Sequence, residues 1–368
     1  MTQGTVRKEN HALRTITAVM MFFIALTHYY SQFKVGDIYV LGKHLMSVGR
    51  FVIPVFVLLS GYFCYSKDGH SEANIGKKMM HIIFLIVIFK LVYLIFSSIL
   101  CIAGIVDLNY VLTEFLTVSP PFEFDCYGGT MSIMTTQPIW FIYGLFLIYG
   151  LFFLLYRFKV DFKWTWLIAI PILVAMLLVD LLPMFGITDI GDLNIDEGIG
   201  GILYPFIIFP FFTMGYYLHK DKEKFDARLS NGMIWALIFG GFALMLIEMA
   251  IRPDHYNSCL YVGSFIFIMA VFIGSFRVPE DRGRCCVLEY IGKYLTMWMY
   301  VFFGCANFIV RYLVQPFTDN MLIPEVIGPF AALLLDIAMA FAFSKFLRYT
   351  SHRKKEKIVA QKENAVVD

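Results

Sequence analysis

Charged side chains are scarce in this chain: Asp, Glu, Lys and Arg make up 16% of its 368 residues, against about a quarter in ordinary soluble domains. So apolar a chain cannot be an extended, solvent-swollen disordered polymer. The two signs nearly cancel, leaving a formal charge of +2. No global basic field exists for nucleic acid, and no nucleic-acid partner is expected. Cysteine is sparse too. Cys64, Cys101, Cys126, Cys259, Cys285, Cys286 and Cys305 show no metal-ligand spacing, so neither a metal site nor a small disulfide scaffold is expected. Cys126 and Cys259 leave a disulfide open if they face an oxidising compartment, beside their reading as free apolar thiols. The glycines at 198, 200 and 201 follow no strand and precede an apolar run, so they do not make a phosphate loop. Tyr29, Tyr30 and Gln32 close the first apolar stretch where a cleavage site would need small residues, so that stretch is expected to stay in the protein. Neither an internal repeat nor a second soluble domain is visible.

Apolar and aromatic side chains are abundant. The hydrophobic fraction is 59%, the aromatic fraction 17% with 38 Phe, and the mean hydropathy +0.70. This is the composition of a polytopic membrane protein. A crossing helix needs about 20 mostly apolar residues, because lipid offers no partners to bare backbone groups. Ten stretches qualify, at 13–30, 46–66, 79–105, 138–156, 164–185, 202–219, 232–251, 258–276, 290–313 and 327–346. The expected fold is therefore all-α, with about ten transmembrane helices over residues 1–350 and a short basic tail over 351–368 that frays or lies on anionic headgroups.

Basic residues set the orientation. Arg7, Lys8 and Arg14 precede the first stretch. Lys67, Lys77, Lys78, Arg157, Lys159, Lys163, Lys220, Lys222, Lys224, Arg228, Arg277, Arg282, Arg284 and the tail after Lys345 fall on the same side. The opposite side holds only Lys34, Lys43, Arg252 and Arg311. Both termini are expected in the cytoplasm. The long outer loops 106–137 and 186–200 carry carboxylates and no Lys or Arg, as solvated loops or as a rim for a polar acceptor.

An ionisable group inside a span is costly enough to suggest function. Asp180 and Glu248 are expected near helix ends, at the interface. Lys90 and Asp336 fall near mid-membrane, where an ion pair between them would explain both. His28 stands at the outer end of the first stretch and Arg14 at its inner end. Their separation is about 21 Å along a helix, within roughly 40° of one face. A cation at the inner mouth and a titratable base near the outer one suit transfer of a group from a charged cytoplasmic donor. A structural histidine is the alternative at this stage.

Arg50 opens a second-span run, Pro54-Val55-Phe56-Val57-Leu58-Leu59-Ser60-Gly61-Tyr62, that resembles the second-helix signature of the acyltransferase-3 family of multispanning O-acyltransferases. Lys77-Lys78 resembles the basic cluster opening that family's third span, and Ile139-Trp140-Phe141-Ile142-Tyr143 its fourth-span opening. Pro210-Phe211-Phe212-Thr213-Met214-Gly215-Tyr216 and Ile291-Gly292-Lys293-Tyr294-Leu295-Thr296, followed by Tyr300, resemble its mid-chain and late elements. The resemblance implies a cytoplasmic acyl-CoA donor, commonly acetyl-CoA, and an acceptor hydroxyl on a glycan or lipid-linked sugar of the cell envelope, within a multi-pass protein of the cell (inner) membrane. Carried over by position, His28 becomes the general base, and Arg50 stabilises the oxyanion or binds the acceptor. Arg14, Lys77 and Lys78 would hold the CoA phosphates. The family's first-helix arginine and histidine stand about one helical turn closer together. The histidine it often carries before Trp-Phe is replaced by Gln137-Pro138, and that of the late helix by Phe303. A non-enzymatic member of the same fold, acting as a carrier, exporter component or binding protein, is the alternative.

Overall fold

The computed structural model describes residues 11–31, 49, 51–65, 71–109, 111–112, 136–160, 162–187, 189–190, 193–194, 200–251, 260–278, 286–314 and 323–367. Among these the long elements are helices: α1 (His11–Ser31), α2 (Val52–Tyr62), α3 (Ser71–Ile102), α4 (Thr136–Arg157), α5 (Lys163–Leu181), α6 (Gly200–Lys220), α7 (Lys222–Arg228), α8 (Asn231–Ile251), α9 (Val262–Ser275), α10 (Cys286–Tyr294), α11 (Thr296–Val314) and α12 (Gly328–Val367). A helix meets each of the ten apolar stretches. Six are long and apolar enough to cross a bilayer: His11–Tyr29, Ile75–Ile102, Lys163–Leu181, Asn231–Ile251, Thr296–Val314 and Gly328–Thr350. Three more are apolar but shorter: Val52–Tyr62, Phe141–Arg157 and Val262–Ser275. The exception to the helical pattern is a two-residue antiparallel ladder in the acidic 186–200 loop. There β1 (Asp189–Ile190) pairs with β2 (Leu193–Asn194).

α1 lies at the centre, packing on α2, α9, α10, α11 and α12. The side chains it turns toward them (Leu13, Met21, Ile24 and Ala25) are buried. The outer helices present Leu, Ile and Phe outward, as at Phe84 and Leu167, the distribution a lipid solvent rewards. Close helix approach is set by small residues. A Cβ on Gly61 would lie 2.0 Å from the Phe212 carbonyl oxygen, and one on Gly215 would lie 2.0 Å from that of Leu58. The two segments that resembled family signatures are thus the two faces of the α2–α6 contact.

Two expectations need correction. The stretch 290–313 is not one helix: α10 ends at Tyr294 and α11 starts at Thr296. Gly292 presses on α1, where a Cβ would come 1.9 Å from the Arg14 carbonyl oxygen. The Thr296 hydroxyl donates to the carbonyls of Ile291 and Gly292, at 3.2 and 3.4 Å. Lys293 therefore belongs to a short helix beside the span. The tail, expected to fray or to lie on anionic headgroups, continues α12 as helix to Val367. Asp180 and Glu248 do not reach toward an interface. Both are buried and serve the start of α9. Asp180 accepts the Leu260 N–H, and Glu248 accepts those of Val262 and Gly263 at 3.2 and 2.8 Å. Carboxylates there satisfy orphan amides and oppose the positive helix end.

Candidate functional site

His28 lies three residues from the C-terminal end of α1 and is partly buried. Its Nδ1 is 3.0 Å from the Ile24 carbonyl oxygen. A carbonyl has no proton to give, so in a neutral ring the proton sits on Nδ1 and Nε2 carries the basic lone pair. On another side the imidazole meets the Phe303 ring at a tilt, 4.9 Å between centroids. Phe303 touches Tyr300 at 5.7 Å, and Tyr300 touches Phe141 at 5.9 Å. The first-helix histidine, the late-helix aromatic pair and the Trp-Phe element of α4 therefore converge, although they stand far apart in the chain. Gly49 approaches the same end of α1, where a Cβ would come 2.1 Å from Thr27 Cγ2. Arg50 lies outside the described residues. So do Cys126 and Cys259.

Arg14 sits one turn into α1, some 20 Å of helix from His28. Its Nη1 is 3.3 Å from Glu289 Oε1, and His11 Nδ1 is 2.5 Å from the same oxygen. All three side chains are mostly buried between α1 and α10. Burial pushes the Glu289 carboxyl up. The hydrogen bond and charge of His11, with those of Arg14, outweigh it and hold the group below its ordinary value. Nothing in the sequence advertised this pairing, since Glu289 stands just before the distant stretch 290–313 and belongs to no motif.

Phe51 of the α2 entry packs on Phe23 at 5.8 Å, so α2 runs back along α1 toward the Arg14 end. Lys78 lies where α2 finishes. Its Nζ is 3.8 Å from Cys64 Sγ and 5.8 Å from the ring centroids of both Phe63 and Tyr149. Lys77, one residue earlier, is exposed. The expected donor-binding cations thus share one end of the bundle, but on separate partners: Arg14 on α10, Lys78 on the α2 terminus. Beside Lys78 is a histidine that sequence reasoning passed over. His219 Nδ1 donates to the Tyr62 carbonyl at 2.7 Å, and its ring stacks on Tyr62 at 4.2 Å. The available signal was its place after the Phe-Phe-x-x-Gly-Tyr element, next to Lys220.

The expected Lys90–Asp336 ion pair does not form. Asp336 is 1% exposed and faces Cys305. Neither of its carboxyl oxygens has a hydrogen-bond partner among the described residues. The pair would need α3 beside α12, whereas α3 packs on α4 and α11.

In comparison with known families, the model of the acyltransferase domain, acyltransferase-3, aligns with residues 10–347. No curated protein and no solved structure matches the chain. A match over nearly the whole length shows that the chain belongs to this acyltransferase family, and its apolar helices mark it as a membrane protein.

Proposed function

We propose that this family member is an O-acyltransferase of the cell membrane that moves an acyl group from cytoplasmic acyl-CoA, commonly acetyl-CoA, to a hydroxyl of a cell-envelope glycan or lipid-linked sugar. In this reading about ten spans cross the membrane and both termini are cytoplasmic, following the distribution of Lys and Arg. The inner end of the bundle receives the donor. Arg14 exchanges Glu289 for a CoA phosphate, and Lys77 and Lys78 supply further positive charge. The acyl thioester reaches toward the other end of α1.

There His28 Nε2 accepts the proton of the acceptor hydroxyl as its oxygen attacks the thioester carbonyl. The carbon–sulfur bond breaks, the ester forms, and the proton leaves with the thiolate as CoA thiol. Arg50, which follows Gly49 in the chain, stabilises the developing oxyanion or orients the acceptor. The observation that carries this reading is the Ile24 carbonyl at 3.0 Å from His28 Nδ1, at the point where motifs of α1, α4 and α11 meet. With the proton on Nδ1 shared with that carbonyl, the basic lone pair of the neutral ring is on Nε2.

His28→Ala is expected to abolish acyl transfer, by at least about a hundredfold, while the protein accumulates in the membrane with unchanged topology. Mass spectrometry of envelope glycans from cells carrying either protein reads the result. A second reading, a non-catalytic binding or carrier protein, is favoured by Phe303 standing where relatives are expected to carry a histidine. Unchanged glycan acylation in His28→Ala, with acylation lost on deletion of the whole chain, would establish that alternative.

A further inference from the structure

We propose that the exposed face shared by α10 and the last membrane turns of α12 binds the headgroup phosphate of an anionic phospholipid. Phe341, Lys345 and Arg348 are spaced by four and three residues, and so lie on one stripe of α12. Arg348 Cζ is 4.3 Å from the Tyr294 ring centroid and 5.9 Å from that of Tyr290. Lys293 Nζ is 5.1 Å from the Tyr294 centroid, and Lys345 Nζ is 5.4 Å from that of Phe341. The rings are continuous, with Tyr290 at 5.1 Å from Tyr294 and 6.3 Å from Phe341. Three cations therefore share one aromatic platform.

Two facts point to an anion, and a third to a lipid. Ring faces position a cation and leave its N–H groups directed away from the ring. Among the described residues no carboxylate pairs with Lys345 or Arg348, although ion pairs do form elsewhere, as at Glu289 and Asp221. The apolar α12 span runs Gly328–Thr350, so both cations occupy its final turns, the depth at which Lys, Arg and Tyr meet headgroups. Phe341, on the membrane side of both cations, is 43% exposed. A water-soluble phosphate would leave this ring uncovered, whereas the acyl chains of a phospholipid would cover it. The anion is therefore one that arrives with its own hydrocarbon. This inference does not depend on the acyl-transfer reading.

The test uses the full chain purified in detergent, with native mass spectrometry and melting curves. Dioleoyl-phosphatidylglycerol should be retained and should raise the melting temperature, dioleoyl-phosphatidylcholine much less. The double variant Lys345→Gln/Arg348→Gln should lose about fivefold in affinity for each cation removed. Lys345→Arg/Arg348→Lys should restore it, and Lys220→Gln/Lys222→Gln should leave it unchanged. Equal retention of the two lipids, or unaltered phosphatidylglycerol binding by the folded double variant, overturns the proposal. So does displacement of the lipid by glycerol 3-phosphate or by CoA, which would assign the cations to a soluble phosphate.

Discussion

The imidazole of His28 and the ring of Phe303 meet at a 63° tilt with centroids 4.9 Å apart. One wall of the imidazole is thus an aromatic ring from α11, and the Ile24 carbonyl fixes its Nδ1. Orientation of the proposed base is shared between a hydrogen bond within α1 and a contact between helices. The two can be separated by substitution.

Phe303→Leu keeps an apolar side chain but removes the flat wall. Misplacing a catalytic group by about 1 Å can cost about a hundredfold in rate. Turnover by Phe303→Leu should therefore fall by between ten- and a hundredfold, with little change in the KM for acyl-CoA, because the proposed function puts the donor phosphates at the opposite end. Steady-state kinetics on reconstituted protein would measure the split. A large rise in KM with unchanged turnover would place Phe303 in donor binding instead.

Gly292→Ala tests the break between α10 and α11. Its methyl would come 1.9 Å from the Arg14 carbonyl oxygen, which is main chain and cannot swing aside. The expected loss of stability is about 1–3 kcal/mol, typical of overpacking, read as a lowered melting temperature in detergent. Wild-type melting would mean that α1 and α10 can separate without cost.

Glu289 gives the fold an acid-sensitive joint. Its folded carboxyl titrates below the ordinary value of 4.5 because His11 and Arg14 outweigh its burial. A lowered folded pKa contributes stability that is complete above the unfolded value and disappears as pH falls through the folded one. Melting temperature should therefore drop as the medium is acidified below about pH 4.5. Glu289→Gln should melt lower than wild type at pH 7 and show a flatter acid limb. Parallel acid limbs for the two proteins would remove Glu289 as the cause.

Asp336 should behave in the opposite sense from a structural ion pair. Burying a carboxyl without a hydrogen-bond partner is unfavourable, and both Asp336 oxygens lack one among the described residues. Asp336→Leu is expected to melt at or above the wild-type temperature. If Asp336→Leu lowers the melting temperature by several degrees, the carboxyl has a stabilising partner after all.

Much of the helical framework was legible because a bilayer demands long apolar runs, and the chain supplies them around most of the described helices. Legibility failed where polar groups choose partners. Asp180 and Glu248 look in the sequence like residues ending a span. Only the three-dimensional approach of the α9 start turns them into acceptors for its amides. The hydropathy of 290–313 hid a helix break that lies beside a backbone contact with α1. His28 stood out because it was an isolated titratable group at the end of an apolar helix. Glu289 and His219 did not, since their roles come from neighbours more than a hundred residues away in the chain.

The reciprocal glycines of α2 and α6 carry a mechanical consequence. With main chain resting on main chain, there is no layer of deformable side chains to absorb sliding or rotation of one helix against the other. These two segments must travel as a single strut. In the proposed reading, any rearrangement that admits a donor at one end or an acceptor at the other has to be accommodated by the helices around this pair.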